Sequence, residues 1–501
     1  MNTLTRRAVL PLTAILTAFG LHAAEAPTPP SEWIDPATGH VVVRLSKEPG
    51  TASLYFHQNP YTPDGKKLLV VTPEGMATID LKMHAIDVVV PGYPALSMSR
   101  SGGIEVSRKT NTVYYTSRAN GQSQILATNL DTKETRVVAT LPPGLGEFGG
   151  LNADETMLIG SYRVGAGATP AAAPAATAAP AATTPAATAA APTAAPAATT
   201  SAETAGAAPA RGGRRGGAGA GGGAGAGPAL MQFFSVNIKT GEVKRFFEPG
   251  PFNLNHVQSS PTDPNVFLYA HEGDWTQVDR VWTLHNDGTG SKLMHVRSMP
   301  YEIAGHEFFS HDGQWVYYDL QTPESGEFWI GRANVATGEH DRFPLERGQW
   351  SVHYNVSWDG KVFSGDGGGP NSVANRTPPP NARKFDPPQN GQWMYLFTPT
   401  GEYTTTKVNG EDVKVGKLTA EKLADLSKHN YGNGESSRVE PNATFTPDDK
   451  WLVFRSNMEG PIHTYEVEIA KATPEETKRI DGEWAAYRAA VPAAAHAPKA
   501  Q

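Results

Sequence analysis

The sequence predicts an all-β fold, a seven-bladed β-propeller with four-stranded blades. Three observations predict it. A motif built from an apolar or small residue, a polar turn around Asp and a short β-rich run recurs along the chain. A second turn, Thr-Gly-Glu, recurs between its copies, and helical periodicity is almost absent. Repetition at roughly 45 residues per unit favours a ring of like units over two stacked sandwiches, with six or eight blades as the alternatives that degenerate repeats leave open.

The first copy is Tyr61-Thr-Pro-Asp64-Gly, followed by the run from Lys67. The later copies centre on Lys109, Asp154, Asp263, Asp312, Asp359 and Asp448, at intervals of 45, 45, 109, 49, 47 and 89. The interval of 109 contains an Ala/Pro/Gly segment, 165–228, and without it returns to 45. The interval of 89 contains a Pro-rich stretch, Thr377 to Pro388, and a charged stretch, Glu411 to His429. Asp-Gly suits a tight turn, and the flanking Val, Tyr, Phe and Trp suit a buried pleated surface. With Thr240-Gly-Glu242, Thr337-Gly-Glu339 and Thr400-Gly-Glu402 as second turns, each unit holds two hairpins, the content of one blade. Two segments read as short helices, Thr419 to Lys428 and Pro474 to Ala490.

Composition agrees with one large β domain. Of 501 residues, 51 are Gly and 41 Pro, so turns are frequent, while 39% are apolar, enough for a core. The formal charge of −7 argues against a nucleic-acid binder. The chain has no cysteine, which excludes thiolate metal sites, thiol nucleophiles and redox motifs.

Residues 1–26 read as an export signal: Arg6 and Arg7, then a short apolar run from Val9 to Leu21, then Ala23, Ala24 and Ala26 for cleavage. The expected location is periplasmic, and the paired arginines suit the twin-arginine route as well as the general one. The expected organisation is propeller in 27–164 and 229–490, a disordered insert in 165–228 and a tail in 491–501.

The motifs beyond the third carry a resemblance. Ala37-Thr-Gly-His40, Asn255-His256-Val-Gln, His271-Glu-Gly273, Val281-Trp282, Gly305-His306-Glu-Phe308, Gly365-Asp366-Gly367 and Phe445-Thr-Pro-Asp448 occur in the order and spacing of the oligogalacturonate lyase family, which the chain resembles over nearly its whole folded length. The resemblance implies a seven-bladed propeller that cleaves short pectin-derived uronates by β-elimination. It implies a divalent cation, usually manganese, held by three histidines and a glutamine, a separate histidine as base, and an arginine that binds substrate. His256 falls at the base and His306 at the first metal ligand. The family's last ligand run is replaced by Ser437-Arg-Val-Glu440-Pro-Asn442, and its arginine falls near Gln232.

β-Elimination on a uronate needs the carboxylate neutralised, a base for the proton on the adjacent carbon, and help for the leaving oxygen. His306 and His353 stand at equivalent places in successive units, and Glu440-Pro-Asn442 at the corresponding place in the last. Two imidazoles, a carboxylate and an amide meeting on the axis suit a manganese or calcium ion. The plainer alternative is that they bond one another around channel water. His271, Glu272 and Arg280 form a further polar cluster for substrate binding, with a structural turn as its alternative. Trp275 and Trp350 could stack on sugar rings or fill the core. The chain has no Gly-x-Ser-x-Gly elbow and no His-Glu-x-x-His, which sets aside serine peptidases and zincins. Besides a uronate lyase, two readings stand open: a non-catalytic periplasmic scaffold propeller, and an enzyme for another acidic glycan.

Overall fold

The recurring Ser/Thr-x-Asp turn is a closed hydrogen-bonded unit. This emerges from the computed structural model, which describes residues 28–93, 103–119, 121–164, 230–250, 252–368, 392–408, 411–431 and 439–491. The Thr62 hydroxyl donates to Asp64 Oδ1 (2.8 Å), and the same oxygen accepts the Lys66 N–H (3.1 Å). Ser310–Asp312, Ser357–Asp359 and Thr446–Asp448 repeat the bond at 2.5, 2.8 and 2.7 Å. Such side-chain bonds hold the reversal that antiparallel pairing needs. The turns lead into apolar second strands, among them Lys67–Thr72, Trp315–Gln321 and Trp451–Ser456. At the second turn, Asn334 Oδ1 accepts the N–H groups of Ala336 and Thr337, and Asn237 does the same for Lys239 and Thr240.

The described strands form six sheets: four of four strands, one of five and one of eight. The fold is all-β and propeller-like, but the expected seven separate four-stranded sheets are not what the pairing gives. Five sheets have blade size. The eight-stranded one joins two four-strand runs, 303–345 and 354–425. Their outer strands, His340–Leu345 and Glu411–Asp425, pair in parallel at Asp341↔Lys414 and Arg342↔Val415. The cause is the length of the hairpin Trp393–Val408 with Glu411–Asp425, which outgrows the other strands and reaches its neighbour's edge. That hairpin also corrects the helix expected at 419–428. Thr419 pairs with Thr398 and Ala424 with Met394, and Leu423 and Ala424 are buried. Packing there overrides the helical propensity of the Ala-Glu-Lys-Leu-Ala run.

The five-stranded sheet closes the ring. His40–Arg44 lies between Glu32–Ile34 and the late strand His463–Lys471, with Val42 opposite Val467. The helix Pro474–Ala490 forms as expected, with the Thr473 side chain accepting the Glu476 N–H at its start. It packs Ile480 and Trp484 into the apolar cluster that Val41 and Val43 of this sheet share with Leu68 and Val70 of the next.

Core clusters sit between sheets. Phe233 and Phe246 of one sheet pack against Leu254, Phe267 and Tyr269 of the next, all buried. Strands buried on both faces read as continuous apolar runs rather than alternating ones. The first strands of neighbouring sheets, Ile104–Val106, Phe148–Leu151, Asn253–Ser259 and Ile303–Phe309, lie beside one another around the axis. The segments 1–27, 165–229, 369–391 and 492–501 lie outside the described residues, and with them the expected export signal, insert and Pro-rich stretch.

Candidate active site

Each axial strand that carries a candidate histidine breaks its ladder at that point. Register shifts fall between Asn255 and Gln258 and between Gly305 and Phe308. Within each break sits a non-glycine residue of positive φ: His256 at 51° and His306 at 51°. Asn442, also at 51°, holds the same place before the strand Thr444–Phe445. A side chain in this region costs roughly 1 kcal/mol or more. Three such residues at one level of the axis mark a place where aim takes precedence over ladder pairing.

His256 stands between two carboxylates. Its Nδ1 is 3.4 Å from Glu307 Oε1 and its Nε2 is 3.9 Å from Glu272 Oε1. Arg280 grips Glu272 with both terminal nitrogens, at 2.6 and 3.1 Å. Burial pushes the Glu272 carboxyl up, but the Arg280 charge and hydrogen bonds outweigh it and hold the group below its ordinary value. The Arg280 guanidinium lies 3.9 Å above the Trp275 ring, whose edge meets His306 at 5.1 Å. With its side chain fully buried and its charge matched, Arg280 shapes Glu272 and offers nothing to solvent.

A second cluster surrounds His353. Asp366 accepts the His353 N–H (2.8 Å), faces its Nδ1 (2.8 Å) and accepts the Asn442 N–H (3.1 Å). The His353 ring stacks on Phe56 at 4.5 Å and meets His306 at 5.0 Å. Its Nε2 lies 3.7 Å from Glu440 Oε2. The Asn442 amide is committed to backbone: its oxygen accepts the Phe56 N–H, and its nitrogen donates to the Glu440 carbonyl.

Between the clusters stands His57, 6.1 Å from the His256 ring. Burial, then the nearby His256 and His353, hold it well below the ordinary imidazole value. Below the histidines, about 840 Å³ of empty space, partly open to solvent, runs past Asn59, Glu105 and Asn355 to Arg108 and His311.

No family model matches the chain. The oligogalacturonate lyase of Dickeya dadantii is 25% identical over 231 residues, 45% of this chain and 52% of that protein. The oligogalacturonide lyase of Pectobacterium atrosepticum is 25% identical over 236 residues, again 45% and 52%. This chain resembles the oligogalacturonate lyases. It spans about half the length of these relatives. Among solved structures, an oligogalacturonate lyase in complex with manganese superposes with a TM-score of 0.58 at 20% identity, covering 88% of this chain and 96% of that one. An oligogalacturonate lyase from Vibrio parahaemolyticus gives 0.59 with the same identity and coverage. At that identity the structural likeness is one of fold.

The resemblance to oligogalacturonate lyases raises a metal, and the residues here test it. Among the described residues, no three His, Asp or Glu side chains form a ligand set for one ion. The expected quartet of His306, His353, Glu440 and Asn442 therefore does not form as a ligand set. His306, His353 and Glu440 are neighbours, but the Asn442 amide is spent on backbone. The residues as placed do not fit a four-ligand ion.

The remaining candidates divide in the same way. His256, Glu272 and Arg280 come together. His271 does not join them: it lies between Phe252 (4.4 Å) and Trp282 (5.0 Å), and burial lowers its pKa to about 4. Trp350 is core, donating its indole N–H to Asp319. Gln232 is buried on Tyr162 and the Phe247 carbonyl. Sequence reasoning passed over His57 and Glu307. His57 had a signal, since it precedes Asp64 by the same interval as His256 precedes Asp263.

Proposed function

We propose that the chain is an exported, periplasmic lyase that cleaves oligogalacturonate or a related uronate oligosaccharide by β-elimination. Its likeness in sequence to oligogalacturonate lyases supports the reading, and one observation carries it: a strained His256 on the axis between the buried Glu307 carboxylate and the partly buried Glu272 carboxylate. His256 is the proposed base. It takes the proton from the carbon next to the substrate carboxylate. The electrons of that C–H bond form a carbon–carbon double bond as the glycosidic C–O bond breaks, and the departing oxygen takes its proton from water. Glu272, held by Arg280, faces sugar hydroxyls, and Arg280 acts through it. His271 lies between Phe252 and Trp282, apart from His256, and this reading gives it no step.

A divalent ion, manganese or calcium, is the cofactor this reading takes from the sequence. The described residues offer it a pair of facing donors, His353 Nε2 and Glu440, so the steps above rest on the chain's own groups. In the same reading the eight-stranded sheet counts as two blades joined at their outer edges, which gives seven.

The test is incubation with a panel of oligouronates, with and without added manganese, followed by the ultraviolet absorbance of an unsaturated product. His256→Ala should lower the rate by about 10²–10⁴-fold, the usual contribution of a general base. His306→Ala should respond to added manganese differently from the parent chain if an ion takes part. No absorbance from any uronate under either condition would favour the scaffold reading.

A further inference from the structure

We propose that Glu307 is the positioning residue for His256, fixing which ring nitrogen faces substrate; this rests on the lyase reading above. The Glu307 side chain is completely buried on the axial strand Ile303–Phe309, inside the ladder break and next to His306. Neither of its carboxylate oxygens has a hydrogen-bond partner among the described residues. A buried carboxylate left in that state is costly, so the fold must gain something by holding it there. The nearby Arg280 charge acts on Glu307, but the guanidinium's side-chain bonds run to Glu272 through both terminal nitrogens, and its Nε, like the Glu307 oxygens, has no hydrogen-bond partner among the described residues. Among the described residues the close ion-pair contact of Glu307 is with His256, whose Nδ1 lies at 3.4 Å and has no hydrogen-bond partner.

Both sides of this contact are held by backbone. The Gln258 side chain donates to the Glu307 carbonyl at 2.7 Å, and so ties the strand of His256 to the strand of Glu307 at the two breaks. The pair therefore keeps its geometry when substrate enters. A carboxylate accepts and cannot donate, so the proton of a neutral imidazole is drawn to Nδ1. The lone pair is then left on Nε2, the nitrogen on the Glu272 side, and this is the atom that takes the substrate proton. A carboxylate behind a base histidine selects tautomer and ring orientation in this way, without touching substrate.

The experiment uses the full chain with ¹⁵N-labelled histidine, with His256→Ala to assign the signal, at alkaline pH. The ring shifts of His256 are read in the parent chain and in Glu307→Gln and Glu307→Asp, and kcat and KM are measured for each on oligogalacturonate. The expected result is an Nδ1–H ring in the parent chain and a mixture of tautomers in Glu307→Gln. That variant should lose about 10-fold or more in kcat with KM changed less than about threefold, and Glu307→Asp should recover part of the loss. An Nε2–H ring in the parent chain overturns the proposal, as does a Glu307→Gln chain with unaltered ring shifts or unaltered kcat. If Glu307→Gln does not fold, the parent spectrum and the Asp variant still decide. If the parent chain turns over no uronate, the lyase reading fails, while the tautomer measurement still decides what Glu307 does to His256.

Discussion

Asn442 shows how one residue can satisfy a motif and yet serve another purpose. Its φ of 51° suits Asn better than most residues, and its amide bridges the Phe56 N–H and the Glu440 carbonyl. Asn442→Ala should lose roughly 1 kcal/mol to the backbone conformation and about 1–3 kcal/mol to the stranded Phe56 N–H. Asn442→Gly, which tolerates the backbone, should lose only the second part. Thermal unfolding should therefore rank Ala below Gly below the parent chain; equal midpoints for Ala and Gly would mean that the positive φ costs nothing. Sequence reading singled out His256 and His306 because motifs around them resemble a family. It took Asn442 for a ligand because a polar residue on an axis looks the same whether it faces an ion or a backbone. It missed Glu307 because a glutamate within an apolar strand carries no sign of which neighbouring strand will bring its partner. The positive φ at three equivalent places is a property of the ladder breaks and appears in no local pattern.

Elements were legible where their cause is local. The Ser/Thr-x-Asp turns close on themselves within a few residues, so their spacing in the sequence foretold the hairpins. The segment 419–428 was misread because its strand exists through pairing with 393–408 and 340–345, which no short window contains. Closing-sheet strands carry a pH dependence of the same non-local kind. Glu466 lies opposite Val43 on one side and Val453 on the other, and burial, then Asp448, Glu32 and Glu468, push its carboxyl up from 4.5 to about 8. The folded chain then keeps a proton that the unfolded chain has released. The stability this group contributes is complete below pH 4.5 and is lost as pH rises to about 8. Glu466→Gln removes the titration. Its midpoint of unfolding should gain on the parent chain steadily across that window, by at most about 1.4 kcal/mol per pH unit. A gap that stays constant with pH would show that the folded carboxyl titrates normally.

The whole molecule is a ring whose seam joins its first strands to its last, Val42 against Val467. The long segment 165–229 leaves and re-enters this ring at one spot: Arg163 lies opposite Met231, and the Val164 N–H donates to the Leu230 carbonyl at 2.8 Å. A two-residue Asn-Gly turn can span that gap. Replacing 165–229 by such a turn shortens the loop by about five halvings, worth at most about 3 kcal/mol in closure entropy. Calorimetry should find a midpoint equal to or above that of the parent chain, and a marked fall would show that the segment packs on the ring. The seam has a further consequence, for the order in which the chain is made. His40–Arg44 emerges from the ribosome early, and its partner His463–Lys471 follows only after every intervening sheet. Until then the nascent protein presents an unpaired strand edge at each side of the gap, the kind of surface that chaperones cover and proteases cut. Completion of the ring is thus a single late event, and a product cut short before that strand is marked for removal by its own open edges.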